Sequence, residues 1–268
     1  MVGRFPKIAT LGAWLVACAI VAVPAHARAD ALDLQGRISG FWSTISLQDR
    51  PEVENRVFGT RAQRNEISVA RFTSQGGPSF VLDQSGLRPL LRYDGSSEIW
   101  VLRASAGLRG DVYFRNDIGE VVLRATRLGG LTLYTASAPG GLPCAATEEA
   151  SRLQISRHDV QTLFRHMLRE AARGGQAIRG QLEIRARDVE PQTDDIYGDA
   201  ATVAIDGIVR VSQTRSGREH LQGLHVLSIV EGSGPNARRD GDTLVVTITP
   251  RLGPAGRPSS ARVMRALT

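Results

Sequence analysis

The sequence predicts an α+β fold, in which a β-rich antiparallel region, built as a sandwich or a partly closed barrel, precedes a smaller helix-on-sheet region. Between residues 66 and 134, short runs rich in β-branched, aromatic and leucine residues alternate with turns containing glycine, asparagine and aspartate, as in an antiparallel meander. From residue 156 onward, one strongly periodic helix precedes further strand and helix patterns. This order is typical of helices packed on one face of a sheet.

The chain divides into segments of different composition. We predict a signal peptide over residues 1–29, a β-rich region over 30–135, a linker over 136–150, an α+β region over 151–250 and a C-terminal tail over 251–268.

The first 29 residues have the pattern of a secretory signal peptide. Arg4 and Lys7 supply the positive start, and residues 8–23 are apolar and uncharged. Ala25-His26-Ala27 or Ala27-Arg28-Ala29 supplies the small-x-small cleavage site. Because the apolar run is shorter than the ~20 residues of a spanning helix, we expect a periplasmic or secreted protein without a transmembrane span in the mature chain.

The same segment permits a second form of export. Leu15-Val16-Ala17-Cys18 has the pattern of a lipobox, in which the cysteine is lipidated and becomes the first mature residue. Lipid anchoring through Cys18 is therefore the alternative to a freely released chain.

Composition excludes several chemistries. The 268-residue chain is 42% hydrophobic and 22% charged, which is typical of a folded protein. Its formal net charge is +6, and three of its cations, Arg4, Lys7 and Arg28, lie in the predicted signal peptide. The remaining charge is small, so we expect no nucleic-acid partner.

Lys7 is the only lysine, which excludes Schiff-base, Ser-x-x-Lys and Gly-Lys phosphate-loop chemistry. Cys144 is the only cysteine after Cys18, which excludes an intrachain disulfide in the mature chain.

The β-rich region begins with a polar lead-in. Phe41, Trp42 and Ile45 occur there at helical spacing and predict a short docking helix. Several of the later runs are apolar on both faces, as in Ile99-Trp100-Val101-Leu102, which favours a sandwich or a partly closed barrel over an open sheet. The predicted strands are Glu66–Thr73, Ser79–Asp83, Pro89–Tyr93, Glu98–Ala104, Asp111–Arg115, Glu120–Thr126 and Leu131–Tyr134.

Residues 136–150 are rich in proline, glycine and alanine and lack periodicity, which predicts a linker. The clearest helix follows it. Ser156 is its predicted cap, with Asp159 in a capping-box position, and Gly174-Gly175 its predicted end. The apolar residues that predict this helix are Val160, Leu163, Phe164, Met167, Leu168 and Ala171.

The rest of the α+β region is predicted in less detail. Residues 181–187 alternate as a strand, and residues 200–213 fit either a strand or a helix capped by Asp199, with the helix slightly favoured. Residues 224–230 and 243–249 predict two strands joined by a hairpin loop over 231–242. The tail predicts a last helix from Ser260.

Histidine and acidic residues offer two weak metal hypotheses. On one helix, His158 and His166 would point about 80° apart and would not form a zinc pair. His166 and Glu170 share a face, but exposure beside neighbouring arginines is the simpler interpretation. A calcium loop needs clustered oxygen ligands, but a solvated loop is the preferred interpretation of the acidic stretch. That stretch contains Asp188, Glu190, Asp194, Asp195 and Asp199, and the remaining histidines are His220 and His225.

Glycine, cysteine and arginine complete the candidates. Gly232-Ser233-Gly234 follows a strand, yet Pro235 and a second strand argue against a dinucleotide-binding turn. Cys144 has no base nearby in the sequence, so we expect an inert thiol. A series of arginines crosses the β-rich region, where surface ion pairs are the default and an anionic envelope component becomes a ligand if the fold gathers them. They are Arg88, Arg92, Arg103, Arg109, Arg115, Arg124 and Arg127.

Five stretches carry a resemblance. They are Phe80-Val81-Leu82-Asp83, Arg115-Asn116-Asp117-Ile118-Gly119-Glu120, Leu123-Arg124-Ala125-Thr126-Arg127-Leu128-Gly129-Gly130, Thr243-Leu244-Val245-Val246-Thr247 and Gly256-Arg257-Pro258-Ser259-Ser260. Together they resemble an uncharacterised family of exported bacterial proteins that carries a domain of unknown function. The resemblance implies no activity, ligand or catalytic residue.

The sequence therefore favours an exported, non-enzymatic binding or interaction module of the cell envelope, with no predicted cofactor, metal or catalytic residue. The alternative is a periplasmic hydrolase that uses histidine with carboxylates, with or without a metal ion. Convergence of two histidines on a carboxylate would favour the hydrolase.

Overall fold

A computed structural model describes residues 68–187, 189–190 and 192–268 of the chain. The predicted signal peptide, the Cys18 lipobox and the predicted docking helix at Phe41, Trp42 and Ile45 lie outside the described residues. The first region consists of β1 (Val69–Ser74), β2 (Phe80–Asp83), β3 (Leu90–Tyr93), β4 (Trp100–Val101), β5 (Arg103–Ala106), β6 (Val112–Arg115), β7 (Val121–Ala125), β8 (Leu131–Thr135) and β9 (Ala138–Glu149).

These strands form one nine-stranded sheet in the order β4-β3-β2-β1-β9-β8-β7-β6-β5. All of its neighbours pair antiparallel. The edge strands β4 and β5 are separated in sequence by Leu102 alone, so the sheet curls until its two edges meet. Phe72, Phe80, Phe114 and Leu123 are buried in the interior. The predicted α+β class, with a partly closed barrel first, is confirmed.

The predicted linker is wrong, because β9 occupies Ala138–Glu149. This strand lies between β1 and β8, where Cys144 is paired with Ser74 on one side and with Leu131 on the other. Most of its side chains are exposed or half-buried, so it lacks the apolar alternation by which a strand is recognised. The segment is a strand because its backbone pairs with a strand on each side. Its side-chain pattern gives no sign of this pairing.

The second region places helices against a four-stranded sheet of order β10-β11-β13-β12. β10, β11 and β13 run parallel, and β12 pairs antiparallel with β13. The predicted hairpin loop over 231–242 is therefore wrong: it contains β12, and the strands that it was expected to join pair in parallel. The elements are α1 (Val160–Ile178), β10 (Glu183–Ala186), α2 (Asp194–Ser212), α3 (Arg215–His220), β11 (Val226–Glu231), β12 (Asn236–Asp240), β13 (Thr243–Ile248) and α4 (Ser260–Leu267).

Helix termini differ from their predicted positions. Asp159 itself caps α1, accepting a hydrogen bond from the Thr162 N–H, because the helix begins at Val160 and not near Ser156. α1 also continues past Gly174-Gly175 and ends at Arg179 in the left-handed conformation. Residues 200–212 are helical, as favoured, but α2 begins at Asp194, so Asp199 lies inside the helix and does not cap it.

α2 lies at the centre of the second core. Its Tyr197, Ile205 and Ile208 are fully buried against Leu227 of β11 and Leu244 of β13. In the described part of the chain, no helix combines the length and the hydropathy that crossing a membrane requires.

Candidate functional site

Two carboxylates of the β-rich region bind the N-terminus of α4. Glu98, fully buried, accepts hydrogen bonds from the Ser260 N–H at 2.8 Å and from the Ser260 Oγ at 2.6 Å. Asp117 accepts one from the Ser259 N–H at 2.9 Å. The first N–H groups of a helix lack partners within the helix and carry partial positive charge, so these carboxylates join the two regions at a fixed point.

Arg257 compensates the buried negative charge beside this helix terminus. Its side chain is 1% exposed, and its Nε lies 2.5 Å from an Asp199 carboxylate oxygen. Its Nη2 donates to the Ile99 carbonyl at 2.8 Å. Arg210 of α2 adds a contact of 3.3 Å to Glu98. The second region therefore supplies the arginines that compensate Glu98 of the first region, as a buried ion requires.

Burial raises the pKa of Glu98 above its ordinary 4.5, and the nearby Arg257, Ser260 and Arg210 oppose that shift. The folded state then binds the Glu98 proton more tightly than the unfolded state does. This contribution to stability is fully present below about pH 4.5 and is lost as the pH rises through the folded pKa.

We therefore expect the free energy of unfolding of the native protein, relative to Glu98→Gln, to fall as the pH rises above 4.5. Urea unfolding across a pH series measures the difference. Glu219→Gln, at an exposed i,i+4 ion pair with Arg215, is the control and should show no such trend. If the free energy of unfolding of the native protein instead rose relative to that of Glu98→Gln as the pH rises, the arginines would stabilise the Glu98 carboxylate by more than burial destabilises it.

An open cleft of about 260 Å³ borders this junction. The β-rich region lines it through the turn before β3, the β4–β5 corner and the end of β6, and the second region through the segment that leads into α4. Asp117 is the only acidic residue in the described lining. The cationic residues that line it are Arg88, Arg103, Arg115, Arg257 and Arg262.

These arginines differ in how far the fold neutralises them. Arg257 is paired with Asp199 and Arg262 with Asp117, and Arg115 donates to the Gly119 carbonyl at 2.9 Å. Arg88 and Arg103 are exposed, and neither guanidinium group is hydrogen-bonded or ion-paired with another residue in the described ranges. The cleft thus presents two guanidinium groups whose donors are available to a ligand.

The fold brings part of the predicted arginine series together. Arg88, Arg103 and Arg115 meet at the cleft, although 27 positions of sequence separate the first from the last. Arg124 instead pairs at 2.5 Å with Asp111, which is buried. Arg92, Arg109 and Arg127 are also absent from the lining.

The sequence did not identify Arg257 and Arg262 as cleft residues, because the predicted arginine series was confined to the β-rich region and these two lie in the C-terminal tail. One signal for Arg257 was present: Gly256-Arg257-Pro258-Ser259-Ser260 and the stretch from Arg115 to Glu120 both carry the family resemblance. In the structure these two stretches contact each other through Asp117 and Ser259.

The histidines of the α+β region are arranged differently from the prediction. His158 precedes α1, so its ring is not held 80° away from that of His166: the two rings stack with centroids 4.8 Å apart. The His166 Nε2 lies 2.8 Å from the Thr202 Oγ1, and burial, followed by the neighbouring His158, lowers the pKa of His166. Asp195 accepts a hydrogen bond from the His158 backbone N–H at 2.6 Å. A histidine-dependent hydrolase stays a prediction.

The described carboxylates of the predicted acidic loop bind different partners and do not converge on one site. Asp195 binds the backbone before α1 and Asp199 binds Arg257, while Asp188 lies outside the described residues. Glu170, half the proposed pair with His166, is 3.4 Å from Arg173. Among the described positions, no three His, Cys, Asp or Glu residues are grouped to hold a metal ion.

Cys144 lies in β9 and not in a linker. Burial raises the pKa of its thiol to about 11. The thiol is thereby disfavoured as a nucleophile near neutral pH.

Fold and cleft together define an α+β protein whose two regions meet at a buried charge network beside a cationic cleft. The chain belongs to the family described as a domain of unknown function, DUF4908, whose model matches residues 52–267. This confirms the predicted membership of an uncharacterised family. No curated protein and no solved structure matches the chain.

Proposed function

We propose that the protein is an exported component of the cell envelope that binds an anionic group in the arginine-lined cleft, as a binding module and not as an enzyme. The observation that carries this proposal is the pair of unneutralised guanidinium groups, Arg88 and Arg103, on a cleft with one acidic lining residue among the described positions. Guanidinium forks bind carboxylate and phosphate groups with paired hydrogen bonds.

The size of the cleft limits which ligands it can hold. A volume of about 260 Å³ lies at the small end of ligand sites, so it suits one phosphate- or carboxylate-bearing group and not a folded polyanion. A lipid headgroup and a pendant acidic group of an envelope polymer both meet this description.

We expect the protein from Asp30 to Thr268 to bind glycerol 3-phosphate with an affinity that falls as salt rises, since the contact is charge-assisted. Replacing both free arginines, Arg88→Ser with Arg103→Ser, should weaken binding about tenfold or more, because each lost charged hydrogen bond is worth ~1.5–3 kcal/mol. Isothermal titration calorimetry measures both affinities.

The matched control removes the same charge elsewhere. Arg127 and Arg165 are exposed and lie outside the cleft, so Arg127→Ser with Arg165→Ser should leave the affinity unchanged. Equal weakening by both double variants would show that net charge and not the cleft binds the anion. Vesicles containing phosphatidylglycerol, compared with phosphatidylcholine vesicles, identify a lipid source; failure to bind either probe would refute the proposal.

Export is tested separately by cell fractionation and by mass spectrometry of the N-terminus. We expect an envelope fraction whose chain begins after Ala27 or Ala29, or at a lipidated Cys18. A cytosolic, full-length product would contradict export without bearing on the cleft.

A further inference from the structure

β10 is an edge strand of the second sheet, with β11 on one side and no partner strand in the described residues on the other. The Glu183 N–H donates to the His225 carbonyl at 2.9 Å within the parallel ladder to β11. Since backbone groups alternate in direction along a strand, the N–H and C=O of Ile184 are directed to the open edge. An open edge of this kind is a template for pairing with another strand.

The helix beside this edge exposes apolar surface. On α1, Val160 is 62%, Phe164 64% and Leu168 55% exposed, whereas Leu163 is buried. The core therefore covers only part of the apolar face that the sequence predicts for α1. Phe164, Leu168 and Ile184 line a groove of about 970 Å³ between α1 and the β10 edge. Large exposed apolar patches of this kind mark interaction sites.

The edge itself is complementary to a second copy of the same strand. In Glu183-Ile184-Arg185 the two charged side chains are exposed and form an ion pair with each other, with the Arg185 Nη2 2.7 Å from a Glu183 carboxylate oxygen. Ile184 is half-buried towards the helices. If two copies pair antiparallel with Ile184 opposite Ile184, the two outward-directed backbone groups of that residue exchange hydrogen bonds. Glu183 then lies opposite Arg185 of the other copy at both symmetry-related positions.

This register also satisfies the side-chain packing. Residues opposite each other without a direct hydrogen bond have their Cα atoms only ~4.5 Å apart, which favours the opposite charges of Glu183 and Arg185. On the other face, Ile184 meets its own copy below the exposed Phe164 and Leu168. A two-fold contact buries the same patch on both copies, as an isologous interface requires.

We propose that the chain forms a homodimer by antiparallel pairing of β10, which joins the two four-stranded sheets into one and buries the apolar face of α1 against that of the second copy. The occupant of the groove is therefore a second copy of this chain. The proposal is independent of the cleft, which lies where the second region meets the first and shares no lining residue with the groove.

Charge exchange tests this register. Arg185→Glu should place two carboxylates opposite each other at both symmetry-related positions and weaken the dimer about tenfold or more, and Glu183→Arg should do the same with two guanidinium groups. Mixed in equal amounts, the two variants should form a heterodimer as tight as the native dimer. The double exchange, Glu183→Arg with Arg185→Glu, should restore self-association. Sedimentation equilibrium measures each mass, and far-UV circular dichroism checks that each variant is folded.

A native chain that stays monomeric at every soluble concentration would overturn the proposal. In that case, a photo-crosslinker at position 164 of the full chain that becomes joined to residues 30–67 of the same molecule would identify that segment as the occupant instead. Dimers of both single variants as tight as the native one would refute the register, and the failure of the mixture to pair would refute it as well. Phe164→Ser should weaken the native dimer without altering the charge pattern.

Discussion

Arg257→Ala is expected to lower the free energy of unfolding by about 3–5 kcal/mol, the cost of removing one partner of a buried ion pair. Its guanidinium is buried, contacts Asp199 and donates to the Ile99 carbonyl. It also lies close enough to Glu98 to lower the pKa of that carboxyl. Truncation leaves the buried Glu98 and the partly buried Asp199 with less compensation, at the point where the two regions meet.

Urea unfolding at pH 7, followed by far-UV circular dichroism, measures this loss. Arg238→Ala is the matched control, because Arg238 forms a 2.8 Å pair with Asp240 in which both side chains are more than half exposed, and such pairs contribute ~0–1 kcal/mol. A loss for Arg257→Ala no larger than that of the control would mean that water, and not Arg257, compensates Asp199 and Glu98.

Gly256→Ala is expected to cost about 2–3 kcal/mol, as overpacking of a buried site does. A Cβ at this position would lie 2.1 Å from the Thr249 carbonyl oxygen, which is backbone and cannot rotate away. The Thr249 N–H also donates to the Gly256 carbonyl at 2.6 Å, so the two segments are held close together. Relief of the overlap must move the segment that carries Arg257.

The same unfolding measurement tests this effect. Gly234→Ala is its control, because a Cβ there meets nothing within 4 Å, and it should change stability by less than ~0.5 kcal/mol. If Gly256 acts by positioning Arg257, the double variant Gly256→Ala with Arg257→Ala will lose less than the sum of the single losses. Full additivity would show that the glycine matters only for local packing.

Local patterns were sufficient to predict most strands and helices. The predicted strands around Phe114 and Leu133 are present in the structure, because alternating apolar residues favour one buried face wherever the strand is placed. The helical interpretation of residues 200–213 was only slightly favoured, because their apolar residues fit both the two-residue alternation of a strand and one face of a helix. β9 and β12 were missed, because their side chains are mostly exposed and their strand character depends on partners distant in sequence.

The candidate site was less predictable than the fold. Lysine and cysteine content excluded covalent chemistries from the sequence alone. For the arginines of the β-rich region, the sequence favoured surface ion pairs and left an anionic ligand as the alternative. Which arginines meet was not predictable: Arg88 and Arg103 lie at turns and corners of the first sheet, whereas Arg257 and Arg262 follow the second sheet. Their assembly depends on the docking of α4 onto Glu98 and Asp117.

By itself, the sequence determined the α+β class, the order of its two regions, and the absence of lysine chemistry from the chain after residue 7. These properties follow from residue identity and from spacing over a few turns, which act locally. Only the tertiary structure decided which arginines form the cleft, that Glu98 binds Ser260 across 162 positions, and that β10 is the edge strand of the second sheet among the described residues. Such contacts depend on chain closure over long separations, whose energy no local pattern records.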